Sequence, residues 1–534
     1  WWTPVLAALW GLLLPLLGIT GQGRLDLTVL SIGLPILAII LRRWTTAPVT
    51  GAEGLRAPAA MALLIGVFAM AMPWTWLLGL ALAAFMFWQR RDLTGALVVA
   101  MAPAVMLVPW LPRLFSDPGR LLVGADPATR PAGNAPDALH VLTGSASLTG
   151  TPLIVGLLAI GLVWVAGLLG AIRAHHLPNR LRYGLLGIAI VAPVLAVLMT
   201  RFVVPVAGVW VRPDPNGWLL IGLLGLLLLA AHGIGRRPER SVDDVQDDLV
   251  ERAAVLRGRT TLGAITAVAV LAGGLWWVLG GTAGLTRQTE TLPSYVVGVQ
   301  ASDRATRTLM VDLSAGTAHF NVASTNSPQW GTAESAVLST SAQATDELRQ
   351  VAQQFAQGQA SDDLAARLET LGIGHVWLRG ASAEAVSSLS SAPQIGMAPV
   401  DSQTVIFTVT TQPSRAMLRT GNVDAEEPIL EATVPEAPDD ALIVLSEPAD
   451  RQWRAEIDGQ PLPVADSGDW RQAWSTEGRS GKLSYRLGVD VFGVVWQSLG
   501  LLTLIVLAAP TAQRSNAPRR ALSSHSTRNR GSDR

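Results

Sequence analysis

The chain has 534 residues, of which 50% are hydrophobic and only 15% are charged, and its formal net charge is zero. Soluble proteins carry about 25% charged residues, so this composition indicates a membrane protein with several spans. A net charge of zero argues against a nucleic-acid partner, and the absence of cysteine excludes disulfides, thiolate chemistry and cysteine-ligated metals.

Ten apolar runs approach the length of about 20 residues that a membrane-spanning helix needs. They cover approximately 1–19, 27–41, 58–72, 74–88, 94–111, 152–171, 183–199, 217–233, 261–280 and 491–510. We therefore predict a polytopic domain of nine helices over 1–280 and one last membrane helix at 491–510. The runs leave a long connection at 112–151 and another at 234–260. In the latter, apolar residues at helical spacing predict a short amphipathic helix on the membrane surface.

Arginines are distributed unevenly over the connections. One alternate set, which includes the tail 511–534, holds 20 arginines, and the other set holds 6. The positive-inside rule places the richer set in the cytoplasm. We therefore expect a multi-pass protein of the bacterial plasma membrane, in contact with the lipid bilayer, with a basic, disordered, cytoplasmic C-terminal tail. The same rule makes 281–490 and the loop 112–151 extracytoplasmic.

Residues 281–490 have the composition of a folded soluble domain. Strands alternate with helices over 281–399, which predicts a small α/β subdomain. From 400 to 490 the strands are short and turn-bounded, beginning with TVIFTVTT at 404–411, and Asp458-Gly459 is a strong hairpin signal. This pattern predicts a β-sandwich. The fold class is thus a multi-spanning α-helical membrane protein of about ten helices, with an extracytoplasmic α/β plus β-sandwich domain inserted before the last helix.

Signatures of soluble catalysis are absent from the sequence, including the Walker loop, G-x-S-x-G and H-E-x-x-H. No metal site and no cofactor are predicted for this chain. No aspartate or glutamate lies deep inside an apolar run, which argues against a proton- or sodium-coupled transporter.

The loop 112–151 is long and rich in proline, glycine and charge, and loops of this kind are often functional. A transferase that uses a polyprenyl-phosphosugar needs an outward-facing carboxylate as base and cationic groups for the phosphate. The candidate bases are Asp117, Asp126 and Asp137, and the candidate substrate-binding residues of the loop are Arg113, Arg120 and His140. The alternative is a structural loop that packs under the soluble domain.

The chain contains nineteen tryptophans. Many stand at the ends of apolar runs, where anchoring at the membrane interface explains them. Trp470 and Trp474 stand in a polar stretch of the soluble domain, so they are candidates for stacking on sugar rings. The alternative is that they belong to the hydrophobic core.

The stretch ALIVLSEPADRQWRAEIDGQPLPV at 441–464, followed by SGKLSYRLGVD and a last apolar helix, resembles the C-terminal end of YfhO-like bacterial membrane proteins. The loop VPWLPRLFSDPGRLL at 108–122 is similar to the membrane half of large actinobacterial family 2 glycosyltransferases. The resemblance implies a cytoplasmic nucleotide-sugar domain upstream of Trp1, which would carry the acidic divalent-metal motif. It transfers no catalytic residue to this chain.

Three functions remain open at this point. The first is the membrane and outer-domain portion of a cell-envelope glycosyltransferase that acts on lipid-linked or cell-wall glycans. The second is a polyprenyl-phosphosugar-dependent membrane transferase with its own carboxylate base on the outer loop. The third is a non-enzymatic flippase-like or scaffold protein whose outer domain binds a glycan or a partner.

Overall fold

A computed structural model describes a helical bundle, followed by a β-rich domain and a final helix. The described residues are 3–21, 24–46, 54–116, 118–124, 135–145, 151–174, 177–206, 209–235, 247–279, 292–313, 319–323, 341–421, 426–488 and 490–509. The expected tail at 511–534 therefore lies outside the described residues.

Each of the ten apolar runs contains a helix. Helices of the bundle, in chain order, are α1 (Thr3–Leu16), α2 (Leu25–Thr46), α3 (Arg56–Ala71), α4 (Trp76–Arg90), α5 (Leu93–Met106), α6 (Leu111–Ser116), α7 (Arg120–Val123), α8 (Ala138–Leu142), α9 (Leu153–Gly156), α10 (Leu162–Arg173), α11 (Asn179–Met199), α12 (Asn216–Gly235) and α13 (Asp247–Leu279). A π-helical segment, Leu157–Gly161, joins α9 to α10. A short hairpin of β1 (Val204–Val206) and β2 (Val209–Val211) precedes α12.

Six helical stretches among the described residues are long and apolar enough to cross a membrane, so the chain is a multi-spanning membrane protein. They are Leu25–Thr46, Leu153–Arg173, Leu181–Met199, Asn216–Ile234, Thr260–Leu279 and Val491–Ala508. The other four runs form α1, α3, α4 and α5, which have 14 to 16 residues. Such helices extend roughly 21–24 Å against a hydrocarbon core of about 30 Å. Ten full crossings therefore stay a prediction.

Connections between the helices gather at two ends of the bundle. At one end, Trp44 near the end of α2 donates a hydrogen bond of 3.3 Å to Asp92, which caps α5, and Arg90 of α4 lies 4.9 Å from the Trp44 ring. At the other end, which we call the Trp74 end, Trp74 lies between α3 and α4. Its ring is 4.6 Å from that of Trp218 in the first turn of α12. Helices α3 and α4 consequently run antiparallel between the two ends.

Prolines in this bundle leave backbone carbonyls without their helical donor, and tryptophans from neighbouring helices bind them. Pro35 has no N–H for the carbonyl of Ser31, and the Trp10 indole donates to that oxygen at 3.0 Å. Pro109 likewise has no N–H for the carbonyl of Val105, and the indole of Trp496 donates to it at 2.7 Å. These indoles therefore join helices by hydrogen bonds, a role that interface anchoring does not include.

We expect Trp496→Phe to weaken the packing of the last helix by about 1–2 kcal/mol, because the Val105 carbonyl loses its donor in an apolar environment. Val494→Ala on the same helix is the control, since the Val494 side chain has no hydrogen-bond donor and is 54% exposed. Denaturant titration of both variants in detergent micelles measures the difference. Equal stability of the two variants would contradict this role for Trp496.

Helix α13 runs without a break through 33 residues, whereas its apolar span begins at Thr260. The part from Asp247 to the span adds roughly 20 Å of helix beyond it. The helix predicted within the loop 234–260 is therefore confirmed for 247–260, but it continues into the membrane helix and is not a short helix of its own. Residues 236–246 lie outside the described residues.

The first part of the inserted domain is a five-stranded sheet with helices. Its strands lie in the order β4-β3-β5-β7-β6, with β3 and β5 parallel and the other pairs antiparallel. The elements are α14 (Ser294–Gln300), β3 (Arg307–Asp312), β4 (His319–Ala323), α15 (Ala342–Gln357), α16 (Leu364–Thr370), β5 (Ile373–Arg379), α17 (Ala383–Ser390), β6 (Ile395–Pro399) and β7 (Thr404–Val409).

Strand β7 corrects the predicted boundary at 399/400. The run of strands that begins at 404–411 predicts this segment as part of the β-sandwich. In the structure, β7 pairs with β5 and β6 of the α/β sheet. Phe407 and Val409 are buried in the same core as Phe355 of α15. Alternation of apolar and polar residues indicates a strand with one buried face. It does not indicate which sheet the strand joins.

The second part consists of two sheets that enclose one core, with strand orders β14-β15-β11-β8-β9 and β10-β16-β12-β13. The strands are β8 (Ala416–Arg419), β9 (Glu426–Pro428), β10 (Thr433–Val434), β11 (Leu442–Pro448), β12 (Trp453–Ile457), β13 (Gln460–Pro461), β14 (Val464–Ala465), β15 (Arg471–Ser475) and β16 (Gly481–Leu487). Asp458 and Gly459 have φ angles of 48° and 78° and join β12 to β13, which confirms the hairpin signal. The last helix, α18 (Val491–Ala508), packs against α3 and α5.

Glu447 of β11 lies where the α/β part meets the two-sheet unit. Its carboxylate accepts hydrogen bonds from Arg307 of β3 and from Arg415. Arg307 also donates to the carbonyls of Leu371, at 3.0 Å, and Ser446, at 2.7 Å. The side chains of Arg307 and Glu447 are both 0% exposed, so this ion pair joins the two parts inside the protein.

His375 of β5 is buried under α14, with 4% of its surface exposed. Burial, and secondarily the charge of Arg304, lower the pKa of His375 from 6.5 to about 4. The neutral imidazole is therefore the folded form at neutral pH, whereas an unfolded chain binds a proton as the pH falls below about 6.5.

We predict that acid destabilises the inserted domain through this histidine. Between pH 7.5 and pH 5.0 the unfolded state gains a proton that the folded state does not bind, which costs about 2 kcal/mol of stability. His375→Gln should lose about 2 kcal/mol less than the unmodified protein over the same pH change, because its other titrating groups are the same. Hydrogen exchange of the β5 amides at the two pH values measures both. Identical pH dependence in the two proteins would exclude His375 as the cause.

Candidate functional site

Two carboxylates share one arginine at the Trp74 end of the bundle. Arg24 donates from Nε and Nη2 to the two oxygens of Asp26, at 2.9 and 2.6 Å. Its Nη1 donates to Oδ2 of Asp214 at 2.8 Å, across 190 residues of sequence. We call these three residues the Arg24 cluster.

Local sequence explains how the cluster forms. Asp26 lies in the first turn of α2, where the helix dipole favours a negative charge. Asp214 stands just before α12, and its Oδ1 accepts a hydrogen bond of 2.8 Å from the backbone N–H of Asn216, as expected of an aspartate at a helix start. The Asn216 side chain donates to the carbonyl of Leu17 at 3.3 Å. The cluster therefore lies where the end of α1 meets the starts of α2 and α12.

The three charges differ in their access to solvent. The side chains of Asp26, Arg24 and Asp214 are 4%, 11% and 17% exposed, respectively. Arg24 engages both oxygens of Asp26, whereas Asp214 is the more exposed carboxylate. One guanidinium faces two carboxylates, so the cluster has an excess negative charge. Such a carboxylate is able to accept a proton from a hydroxyl group.

Among the residues that the structure describes, no group of three histidine, aspartate or glutamate side chains is placed to hold a metal ion. The Arg24 cluster itself offers two carboxylates that are already bound by a guanidinium. Its chemistry is therefore that of hydrogen bonding and proton transfer.

The structure brings together two of the residues predicted from the loop 112–151. Asp137 and His140 lie 3.9 Å apart at the start of α8 and are 84% and 42% exposed. Helix α8 packs against α11, and Gly144, just after α8, lies against Leu16 and Leu17 at the end of α1, so α8 also lies at the Trp74 end. Arg120 is 8% exposed on α7, which packs against the turn Pro73–Thr75 and so lies at the Trp74 end. Asp117, Asp126 and the side chain of Arg113 lie outside the described residues.

Trp470 and Trp474 do not form a sugar-stacking surface. Trp474 is 0% exposed and belongs to the core between the two sheets. Trp470 is 7% exposed, packs into the core of the α/β part and donates to Glu347 of α15 at 3.2 Å. The prediction was wrong because it took polar neighbours as a sign of exposure. Arg471 and Gln472 are themselves buried, at 5% and 2% exposure.

The Arg24 cluster itself was missed from the sequence. Arg-Leu-Asp at the start of one apolar run and Asp-Pro-Asn at the start of another were the available signals. Each is ordinary at a helix start, and nothing in the sequence indicates that the two starts meet.

Comparisons with known proteins give one structural likeness. The chain is similar to the cryo-EM structure of the arabinofuranosyltransferase AftD from Mycobacteria, with a TM-score of 0.33 and 16% identity. The likeness covers 81% of this chain and 37% of the AftD chain, so the chain spans well under half of that protein's length. No family model and no curated protein matches the sequence.

Proposed function

We propose that this chain is the membrane and outer-domain portion of a cell-envelope glycosyltransferase of the polyprenyl-phosphosugar-dependent kind, with its own carboxylate base, and that it handles a lipid-linked glycan at the Trp74 end. The observation that carries the proposal is the Arg24 cluster. It sets a partly exposed carboxylate, Asp214, at the end of a membrane bundle, where the head group of a lipid carrier would lie.

Sugar transfer from a polyprenyl phosphate needs a base for the acceptor hydroxyl. In the proposed reaction Asp214 removes that proton as the hydroxyl oxygen attacks the anomeric carbon. The bond from that carbon to the phosphate oxygen breaks, and polyprenyl phosphate leaves. Arg24 keeps Asp214 in place, and its bidentate contact with Asp26 keeps Arg24 in place. Arg120, at the same end, is the candidate contact for the phosphate.

The arginine distribution supports the proposed side of the membrane. The connections with fewer arginines include those that form the Trp74 end, so the proposal places this end and the inserted domain outside the cytoplasm. A membrane-bound donor and a cell-envelope acceptor both meet there.

We expect Asp214→Asn to lower transfer by about 10²- to 10⁴-fold, the usual contribution of a general base, with little loss of folding. The assay follows glycan transfer by the full-length protein in nanodiscs from polyprenyl-phosphosugar donors of defined composition. Asp137→Asn is the matched control at the same end, because this carboxylate is 84% exposed. We expect it to retain transfer within about twofold, as is usual for exposed groups outside the site.

The same panel separates the remaining candidates. Loss of transfer in an Asp117, Asp126 or Asp137 variant, with Asp214→Asn unaffected, would move the base to the loop 112–151. Full transfer in the Asp117, Asp126, Asp137 and Asp214 variants would show that the base does not lie among these carboxylates. If the unmodified protein transfers sugar from none of the donors, the result would favour the flippase-like or scaffold function.

A further inference from the structure

An apolar groove opens on the side of the bundle beside α13. Six side chains line it, and all are hydrophobic: Val155, Leu158, Ala272, Leu275, Trp276 and Leu279. It is an open depression with a volume of about 400 Å³. Leu158, Leu275 and Leu279 are 49%, 58% and 81% exposed, so the groove faces the surrounding lipid.

Backbone geometry and small residues create this space. Leu158 lies in the π-helical segment, whose wider turn departs from the surface of a regular helix and often marks a functional position. On the facing helix, Ala272 is followed by Gly273 and Gly274. A Cβ added at Gly274 would meet only Leu12, at 4.0 Å.

Elsewhere in the bundle, glycine allows two helices to pack closely. A Cβ at Gly170 would lie 2.7 Å from the Cα of Ala230, because α10 and α12 pack directly on each other there. Gly274 of α13 therefore leaves open space, whereas Gly170 of α10 allows two helices to come into contact.

The groove leads to the Trp74 end. Leu279 is the last residue of α13, and Val155 lies in α9, close to Thr151, whose hydroxyl donates to the carbonyl of Leu16. A Cβ at Gly273 would be 3.1 Å from Leu16, and the neighbouring Leu17 accepts the hydrogen bond from Asn216. The end of α1 therefore separates the groove from the Arg24 cluster by the width of one helix.

We propose that the groove binds the isoprenoid chain of the lipid carrier. This inference rests on the proposed function and adds the site for the hydrophobic part of its substrate. A chain lying between α9 and α13 leaves the membrane beside the end of α1. Its phosphate head then reaches the polar side chains of the Trp74 end. A wholly apolar lining suits a ligand whose membrane part is hydrocarbon alone.

Ala272→Trp tests the proposal, because an indole at this position fills the groove. Leu271→Trp is the matched control, since Leu271 is the preceding residue, lies outside the groove lining and is 62% exposed to lipid. The full chain in phospholipid nanodiscs is titrated with undecaprenyl phosphate, and binding is followed by native mass spectrometry. We expect at least a tenfold weaker binding for Ala272→Trp and a change below twofold for the control.

Unchanged binding of undecaprenyl phosphate by a folded Ala272→Trp protein would contradict the proposal that the groove binds the isoprenoid chain. If that variant does not fold, Leu158→Trp fills the same space from the opposite wall and gives the same test. Displacement of bound undecaprenyl phosphate by an equal concentration of phosphatidylglycerol would overturn the choice of an isoprenoid occupant. These outcomes differ from failure of the proposed function, which would appear as full transfer by Asp214→Asn while undecaprenyl phosphate still binds in the groove.

Discussion

Glu447→Gln should destabilise the inserted domain by about 3–5 kcal/mol, the usual result of breaking a buried ion pair from one side. The substitution keeps the shape of the side chain and removes its charge. Arg307, which is 0% exposed, then loses its anionic partner in the interior, as does Arg415 at 16% exposure. Desolvated guanidinium groups without a counter-charge account for most of the loss.

Hydrogen exchange of the full-length protein in micelles measures this effect. Amides of β3 and β11, the strands that carry Arg307 and Glu447, should exchange roughly 100-fold faster or more in the variant. The control is Asp346→Asn, which breaks the exposed ion pair of 2.6 Å with Arg349. Exposed pairs contribute about 0–1 kcal/mol, so exchange should hardly change there. Equal exchange rates in Glu447→Gln and Asp346→Asn would show that the buried pair does not join the two parts.

Arg24→Gln should have an effect of similar size on the bundle. It leaves Asp26, at 4% exposure, without its bidentate partner and removes the contact to Asp214. We expect a loss of about 3–5 kcal/mol, because a buried carboxylate then has no counter-charge. A lower midpoint in denaturant titration of the full chain in micelles is the measurement.

Arg24→Lys distinguishes charge from geometry. A lysine keeps the positive charge but has no planar fork, so it cannot bind both oxygens of Asp26 and one of Asp214 in the same way. We expect an intermediate loss of stability. If Arg24→Gln were as stable as the unmodified protein, the cluster would not hold the starts of α2 and α12 together.

Periodicity predicted the elements well, because each element is encoded by its own residues. All ten apolar runs contain helices, and the stretch predicted to hold short, turn-bounded strands contains β11, β12, β15 and β16. The Asp458-Gly459 turn followed from chemistry at two adjacent residues. In all these cases the signal and the structure are local.

Features that depend on two distant segments were not predictable in this way. Asp214 reaches Arg24 only because α1, α2 and α12 pack together. The sheet that β7 joins depends on its neighbours β5 and β6, and alternation is the same in either sheet. The burial of Trp470 depends on the α/β part that covers it. A pattern along the chain carries no information on these contacts.

The proposed function requires that the Arg24 cluster and the inserted domain lie on the same, outer side of the membrane. The chain has no cysteine, so single cysteines can be introduced without removing any. Suitable positions are Leu139→Cys at the Trp74 end, Arg451→Cys in the inserted domain and Thr46→Cys at the opposite end of α2, all of them exposed.

The measurement to make first is the labelling of these cysteines in intact cells with a membrane-impermeant maleimide. Access of the reagent through the outer layers of the envelope is verified beforehand. We predict labelling of Leu139→Cys and Arg451→Cys in intact cells, and of Thr46→Cys only after the plasma membrane is permeabilised. Labelling of Thr46→Cys in intact cells, or protection of either of the other two positions, would contradict the proposed side of the membrane and the proposed function with it.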